Sequence, residues 1–165
     1  MNDKNKQNYD KAATAAFTGH RFYDFSKKEL IKERLSIAIL ASYEHGIRNF
    51  ISGFAMGFDL MAAQIVSSMK PFCPGMMLTA AIPFPGQADR YKSFDKRIYD
   101  QLMADADEVI VLAEHYYPRC FLDRDEFMVD NASRIIAYYD GRGKGGTCYT
   151  VKKAIARGIP IVNVY

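Results

Sequence analysis

Six short apolar runs alternate along this chain with five longer stretches in which apolar residues recur at helical spacing. The runs AATAAFTG (12–19), IRNFIS (47–52), MMLTAAI (76–82), EVIVLA (108–113), RIIAYY (134–139) and PIVNV (160–164) read as strands. Between them, residues 26–46, 57–69, 94–106, 121–131 and 146–158 read as helices. The first helix carries marks at both ends. Ser26 and Glu29 have the spacing of a capping box, Leu30, Ile31, Leu35, Ala38 and Ile39 share a face, and Gly46 supplies the stop. Strands and helices alternating at this spacing demand βαβ units, hence an α/β fold with a parallel sheet covered by helices on both faces.

Composition agrees with that frame. A chain of 165 residues, 49% of them apolar, has a single-domain length and buries about 70% of its unfolded surface without help from disulfides or metals. No apolar run approaches the ~20 residues of a membrane helix, and the charged, amide-rich start MNDKNKQNYDK does not read as a signal peptide, so a cytoplasmic protein is expected. We expect residues 1–11 to form a disordered tail and 12–165 a single domain. Cys73, Cys120 and Cys148 are odd in number and lack ligand spacing, which argues for reduced thiols and no metal site. The net charge of +3 is spread among acidic residues along the chain, which makes nucleic acid an unlikely partner.

In parallel sheets, ligands bind outside the carboxyl ends of the strands, near the point where strand order reverses. The polar and glycine residues gather there. Strand one ends in Thr18, Gly19, His20 and Arg21, strand two in Ser52, Gly53, Gly57 and Asp59, and strand three in Pro83, Pro85, Gly86 and Gln87. Strand four is followed by Arg124 and Asp130, and strand five by DGRGKGGT with Asp140, Gly145, Gly146 and Thr147. This last stretch is not a Walker loop, because Lys144 precedes the glycine pair rather than following it. Nor does GxGxxG follow strand one, which leaves nicotinamide chemistry without support. What it offers is either a phosphate cradle, in which the amides of Gly145, Gly146 and Thr147 open a helix whose dipole favours an anion, or a plain capped turn.

Each residue has a structural alternative. Gly53 and Gly57 either let the second helix pack closely or let a ligand approach. His20 is a general base, a ribose contact or a hydrogen-bonded structural group, and Arg21 a phosphate partner or a surface ion pair. Asp59 is placed to meet the free amides of a helix start or to act as a base. Asp130 could accept ribose hydroxyls, act as a base or pair with Arg124. Gln87 could read a base edge. His45 suits a helix C-terminus, and Tyr91, Tyr99, Tyr116 and Tyr117 either stack on a base or pack.

The segments TGHR, SGFAMGFDLMAA, PFPGQ, RDEFMVDNAS and DGRGKGGT, in that order, resemble the YpsA-like branch of the SLOG superfamily, which also contains Smf/DprA and the LOG phosphoribohydrolases. The resemblance implies a Rossmann-like three-layer αβα sandwich with a mostly parallel central sheet, and a pocket for a nucleotide or nucleotide-derived ligand. By that resemblance the phosphate loop falls on Gly145, Gly146 and Thr147, the second glycine motif on Gly53 and Gly57, and the arginine segment on Arg124 and Met128 to Asp130. Two departures follow. The position of the LOG catalytic glutamate is Thr150 and its preceding proline position is Arg142, and Arg124 is followed by Asp125 where relatives often read asparagine. We therefore expect ligand binding, as a sensor or regulatory module, with no separate cofactor. Hydrolysis or group transfer at an N-glycosidic or phosphoester bond, with Asp130 or Asp59 as base, is the alternative. DprA-like single-stranded DNA binding is a second one. The resemblance also suggests a homodimer.

Overall fold

Among the described residues, six strands and five α-helices form where the alternation places them. The computed structural model describes residues 10–165, so most of the expected tail, residues 1–9, lies outside the described residues. In chain order the elements are β1 (Thr14–Gly19), α1 (Lys28–Glu44), β2 (Asn49–Ser52), α2 (Phe58–Met69), β3 (Met77–Ile82), α3 (Ser93–Asp105), β4 (Glu108–Val111), α4 (Cys120–Asp130), β5 (Arg134–Tyr138), α5 (Gly146–Ala156) and β6 (Ile161–Asn163). Every strand pair is parallel, in the order β4-β3-β2-β1-β5-β6.

Two apolar layers hold the helices to the sheet. On one face Ala15 and Phe17 of β1, Phe50 of β2 and Leu78 and Ala80 of β3 pack beneath α1, α2 and α3. On the other, Ala16, Ile51, Ala81 and Ile135 pack beneath α4 and α5. Successive strand residues point to opposite faces, so β1 is buried on both and reads as an unbroken apolar run. Phe17 anchors the centre, its ring stacked 6.0 Å from Phe50 and edge-on 6.4 Å from Phe58.

The start of α1 departs from expectation. Ser26 and Glu29 form no capping box. Asp24 accepts hydrogen bonds from the Ser26 backbone amide at 2.9 Å and the Ser26 hydroxyl at 2.7 Å, capping a single 3₁₀ turn, Phe25–Lys27, that runs into the helix. A carboxylate two residues earlier is a stronger acceptor than a serine hydroxyl, and the extra turn moves the helix start to Lys28. The other end is as expected: His45 Nδ1 lies 2.7 Å from the Ala41 carbonyl, and Gly46 turns the chain with φ of +100°.

The strand order fixes where a crevice must open. From β1 the chain crosses to α1 on one face and continues to β2, β3 and β4, whereas β5, on the other side of β1, leads to α5 on the opposite face. Gly19 and Tyr138 are register partners, so the loops after β1 and β5 leave the sheet at one level and part company there.

Candidate ligand-binding site

A cleft of about 390 Å³ lies at this divide. Its sheet side is Thr18, Gly19, His20 and Arg21; α2 contributes Asp59. From α4 come Phe121, Arg124 and Asp125, and the opening of α5 supplies Lys144, Gly145, Gly146 and Thr147. Eight of the sequence-selected residues therefore meet in one place: Gly19, His20, Arg21, Asp59, Arg124, Gly145, Gly146 and Thr147.

The N-terminus of α5 opens into the cleft, with Asp125 Oδ2 3.6 Å from where a Gly146 Cβ would stand. Gly145 is its N-cap, with φ of +96°, and no side chain caps the helix. Nothing lies within 4 Å of where a Gly145 Cβ would stand. The free amides of the first turn and the dipole behind them thus face the cavity. Arg21 and Lys144 add positive charge at the rim, and among the described residues neither is paired with a carboxylate. The Arg21 guanidinium carbon sits 5.4 Å from the Phe121 ring centroid, which steadies it beside the opening.

The cleft floor is ionic and buried. Arg124, 4% exposed, donates through Nη1 to the Gly53 carbonyl at 2.7 Å and through Nε to Asp125 Oδ1 at 2.8 Å. Burial pushes the Asp125 carboxyl above the usual carboxylate range, opposed by Arg124 and by a hydrogen bond from Thr150. Asp59 is 6% exposed, and its buried Oδ1 has no hydrogen-bond partner among the described residues. Burial pushes Asp59 up to about 7, with Arg124 pulling it back down and Asp125 pushing it further up. The two carboxylates share one arginine in a low-dielectric floor. Asp59 Oδ1 is enclosed, so its missing partner marks a desolvated carboxyl in the floor rather than an acceptor open to the cleft.

Three glycines shape the cleft from behind. A Cβ on Gly53 would stand 2.5 Å from Arg124 Nη1, and one on Gly19 would stand 2.3 Å from the Phe58 ring. Gly57 combines φ of +82° with an Arg21 carbonyl 2.2 Å from its would-be Cβ. Gly53 and Gly57 therefore serve close packing: they seat the arginine and let the loop after β1 cross the start of α2. Phe54, between them, is buried with φ of +55°, a rare backbone conformation for a bulky residue. Its amide donates to Ser52 Oγ at 3.2 Å, and Ser52 Oγ donates to the Asp59 carbonyl at 2.9 Å.

Other selected residues stand elsewhere. Ser52 is tied into the turn just described. Gln87 is buried and donates through Nε2 to the Gly53 carbonyl at 2.9 Å, so it buttresses the loop after β2 and does not face the cleft. Asp130 ends α4 at the far edge of the molecule and pairs with Arg157, not with Arg124. The reason is helical geometry: six residues along α4 is over one and a half turns, which carries Asp130 away from the strand ends. Tyr99 is buried, and Tyr91 packs edge-on against it at 5.7 Å. Tyr117 donates to Asp123 at 2.6 Å, and Tyr116 packs against Phe84. Cys73, Cys120 and Cys148 are buried and unpaired.

Asp125 is the site residue that the sequence passed over. Its signal was present: α4 buries Cys120, Arg124, Asp125, Met128 and Val129, so an adjacent arginine and aspartate fall on the apolar face of an amphipathic helix.

A profile of the YspA SLOG family, YpsA, matches residues 15–158. The chain belongs to this SLOG family. A UPF0398 protein of Bacillus cereus (strain B4264) is 27% identical over 132 residues, covering 79% of this chain and 72% of the relative. Among solved structures, DNA processing protein A (DprA) from Streptococcus pneumoniae superposes with a TM-score of 0.65 at 18% identity, over 92% of this chain and 50% of that one. The Helicobacter pylori DprA, whose structure was described for its single-stranded DNA binding mode, gives 0.63 at 15% identity, over 93% and 65%. At these identities the likeness is one of fold, and this chain spans half of the pneumococcal protein. Among the described residues, no helix is long and apolar enough to cross a membrane.

Proposed function

We propose that this protein binds a phosphorylated, nucleotide-derived ligand in the cleft at the strand ends and acts as a sensor or regulatory module. One observation carries the proposal: the uncapped start of α5, Asp59, and Arg21 and Lys144, which among the described residues pair with no carboxylate, all line the same 390 Å³ cavity. Helix amides and the two cations suit a phosphate. Asp59 suits a ligand hydroxyl. Asp130 has no part in this, since it stands outside the cleft.

Thermal melting of the full chain against AMP, ADP, ATP, NAD, ADP-ribose and cyclic nucleotides tests the proposal, with Gly146→Asp and the rim variant Arg21→Ala alongside. The expected result is a rise in Tm with at least one compound, weakened in both variants. No rise with any compound overturns it.

Single-stranded DNA is a second reading, favoured by Phe22 and Phe25, exposed by 82% and 77% beside Lys27 and Lys28 where the loop after β1 runs into α1. Charges dispersed in sequence draw together in space: Arg21, Lys27, Arg142 and Lys144 line one surface, with Asp24 and with Asp140, which pairs with Arg142 at 3.0 Å. That removes the ground for treating nucleic acid as an unlikely partner. Phosphate contacts from Arg21, Lys27 and Lys144 predict a log–log salt slope of roughly −2 for single strands, and binding insensitive to salt would eliminate this reading.

A further inference from the structure

A second hollow, of about 850 Å³, adjoins the cleft on the other side of His20. The two share His20, Arg21, Lys144 and Gly145, so they form one continuous site across the divide between β1 and β5. Their chemistry differs. Where the first is floored by Arg124, Asp125 and Asp59, the second sets rings, Phe22, Tyr23, Tyr138 and Tyr165, among the charged groups Asp24, Lys27, Asp140 and Arg142. Tyr138, stacked 5.8 Å from Phe58 and 5% exposed, is fixed by the core. Tyr165 approaches it at 5.2 Å with planes tilted by 51°, and Tyr23 meets it edge-on at 6.4 Å. Tyr165 is 56% exposed and Phe22 82%, and both line the hollow. His20 marks the boundary: its Nε2 lies 3.1 Å from both the amide nitrogen and Oδ1 of Asp140, joining the two loops.

We propose that the tyrosine-walled hollow receives the planar base of a nucleoside phosphate whose phosphate and sugar lie in the neighbouring cleft. This rests on the phosphate cleft proposed above and assigns its ligand a direction: phosphate at the α5 N-terminus, sugar beside Asp59, base past His20 among Tyr23, Tyr138 and Tyr165. Stacking on these rings is sequence-tolerant. The hollow thus selects for an aromatic base over none more strongly than for one base over another.

The test is titration calorimetry of the full chain with the four nucleoside 5′-monophosphates, ribose 5-phosphate and inorganic phosphate, on the parent and on Tyr165→Ala and Tyr23→Ala. The chain contains no tryptophan, so Tyr165→Trp adds a single reporter whose emission a stacked base would quench. We expect at least one monophosphate to bind on the order of tenfold more tightly than ribose 5-phosphate. The gap should close in Tyr165→Ala, which is the safer variant because its ring is exposed, and the indole emission of the Tyr165→Trp variant should fall only with nucleotides. If ribose 5-phosphate binds as tightly as every monophosphate and the reporter stays silent, the base assignment is overturned while the phosphate cleft stands. If neither the nucleotides nor the two simpler phosphates bind, both proposals fall together.

Discussion

At Gly57 two demands coincide, and at Gly46 only one does. Both have positive φ, but a Cβ at Gly46 meets nothing within 4 Å, whereas at Gly57 it meets the Arg21 carbonyl at 2.2 Å. Gly46→Ala should therefore lose about 1 kcal/mol from backbone strain alone. Gly57→Ala should add roughly 1–3 kcal/mol of overpacking to that, as urea unfolding would measure; equal losses would mean that the loop after β1 yields freely. Asp59 gives a second residue-scale prediction, in pH. Its folded pKa of about 7 exceeds the ordinary value of 3.8, so between those values the native chain holds a proton that the unfolded chain has released. Stability contributed by this group is therefore complete below the unfolded pKa, falls as pH rises through the window, and levels off above about 7. A shift of this size corresponds to roughly 4 kcal/mol at most. Asp59→Asn should remove that slope, so the variant gains on the parent between about pH 4 and pH 8 in denaturant titrations. A difference independent of pH would show that the carboxyl is not desolvated.

Between elements, the junction of α4 with the loop after β2 depends on one guanidinium. Arg124 joins the Gly53 carbonyl to Asp125 and pulls the Asp59 pKa down, all within the interior. Arg124→Leu leaves two carboxylates buried without their partner, and should destabilise the fold by about 3–5 kcal/mol. Adding Asp125→Leu should restore part of that loss, because a buried pair replaced by apolar groups is tolerated better than a pair broken in half. A double variant no more stable than the single one would refute this account of the floor. The elements themselves were open to sequence reasoning, since each strand is an apolar run and each helix an amphipathic stretch. The capping of α1 was not, because Asp24 and Ser26 compete for the same turn and only the backbone path, with its added 3₁₀ turn, decides between them.

For the molecule as a whole, ligand binding and stability are linked. A ligand at a hundred times its Kd should add about 2.7 kcal/mol, which for a domain of this length corresponds to a rise of roughly 5–10 °C in Tm. The parent chain should show such a rise with its nucleotide and Gly146→Asp should not, in a melt that requires no assay of turnover; an undiminished rise in the variant would place the phosphate elsewhere.

The sequence by itself determined the alternation, the parallel sheet and the clustering of glycines and polar residues at strand ends, because periodicity and turn chemistry are local properties. It also placed Gly19, His20, Arg21, Asp59, Arg124 and the GGT turn in one neighbourhood, since strand ends converge in any such sheet. Which of these face a cavity is a matter of contacts between segments far apart in the chain. Only the folded molecule decided that Gln87 and Gly53 stand behind the cleft, that Asp130 turns away to Arg157, and that Asp125 joins the floor. It likewise brought Tyr23, Tyr138 and Tyr165 together from three separate stretches. Local sequence sets where the chain runs and turns; the packing of helices on opposite faces of the sheet sets which side chains share a space.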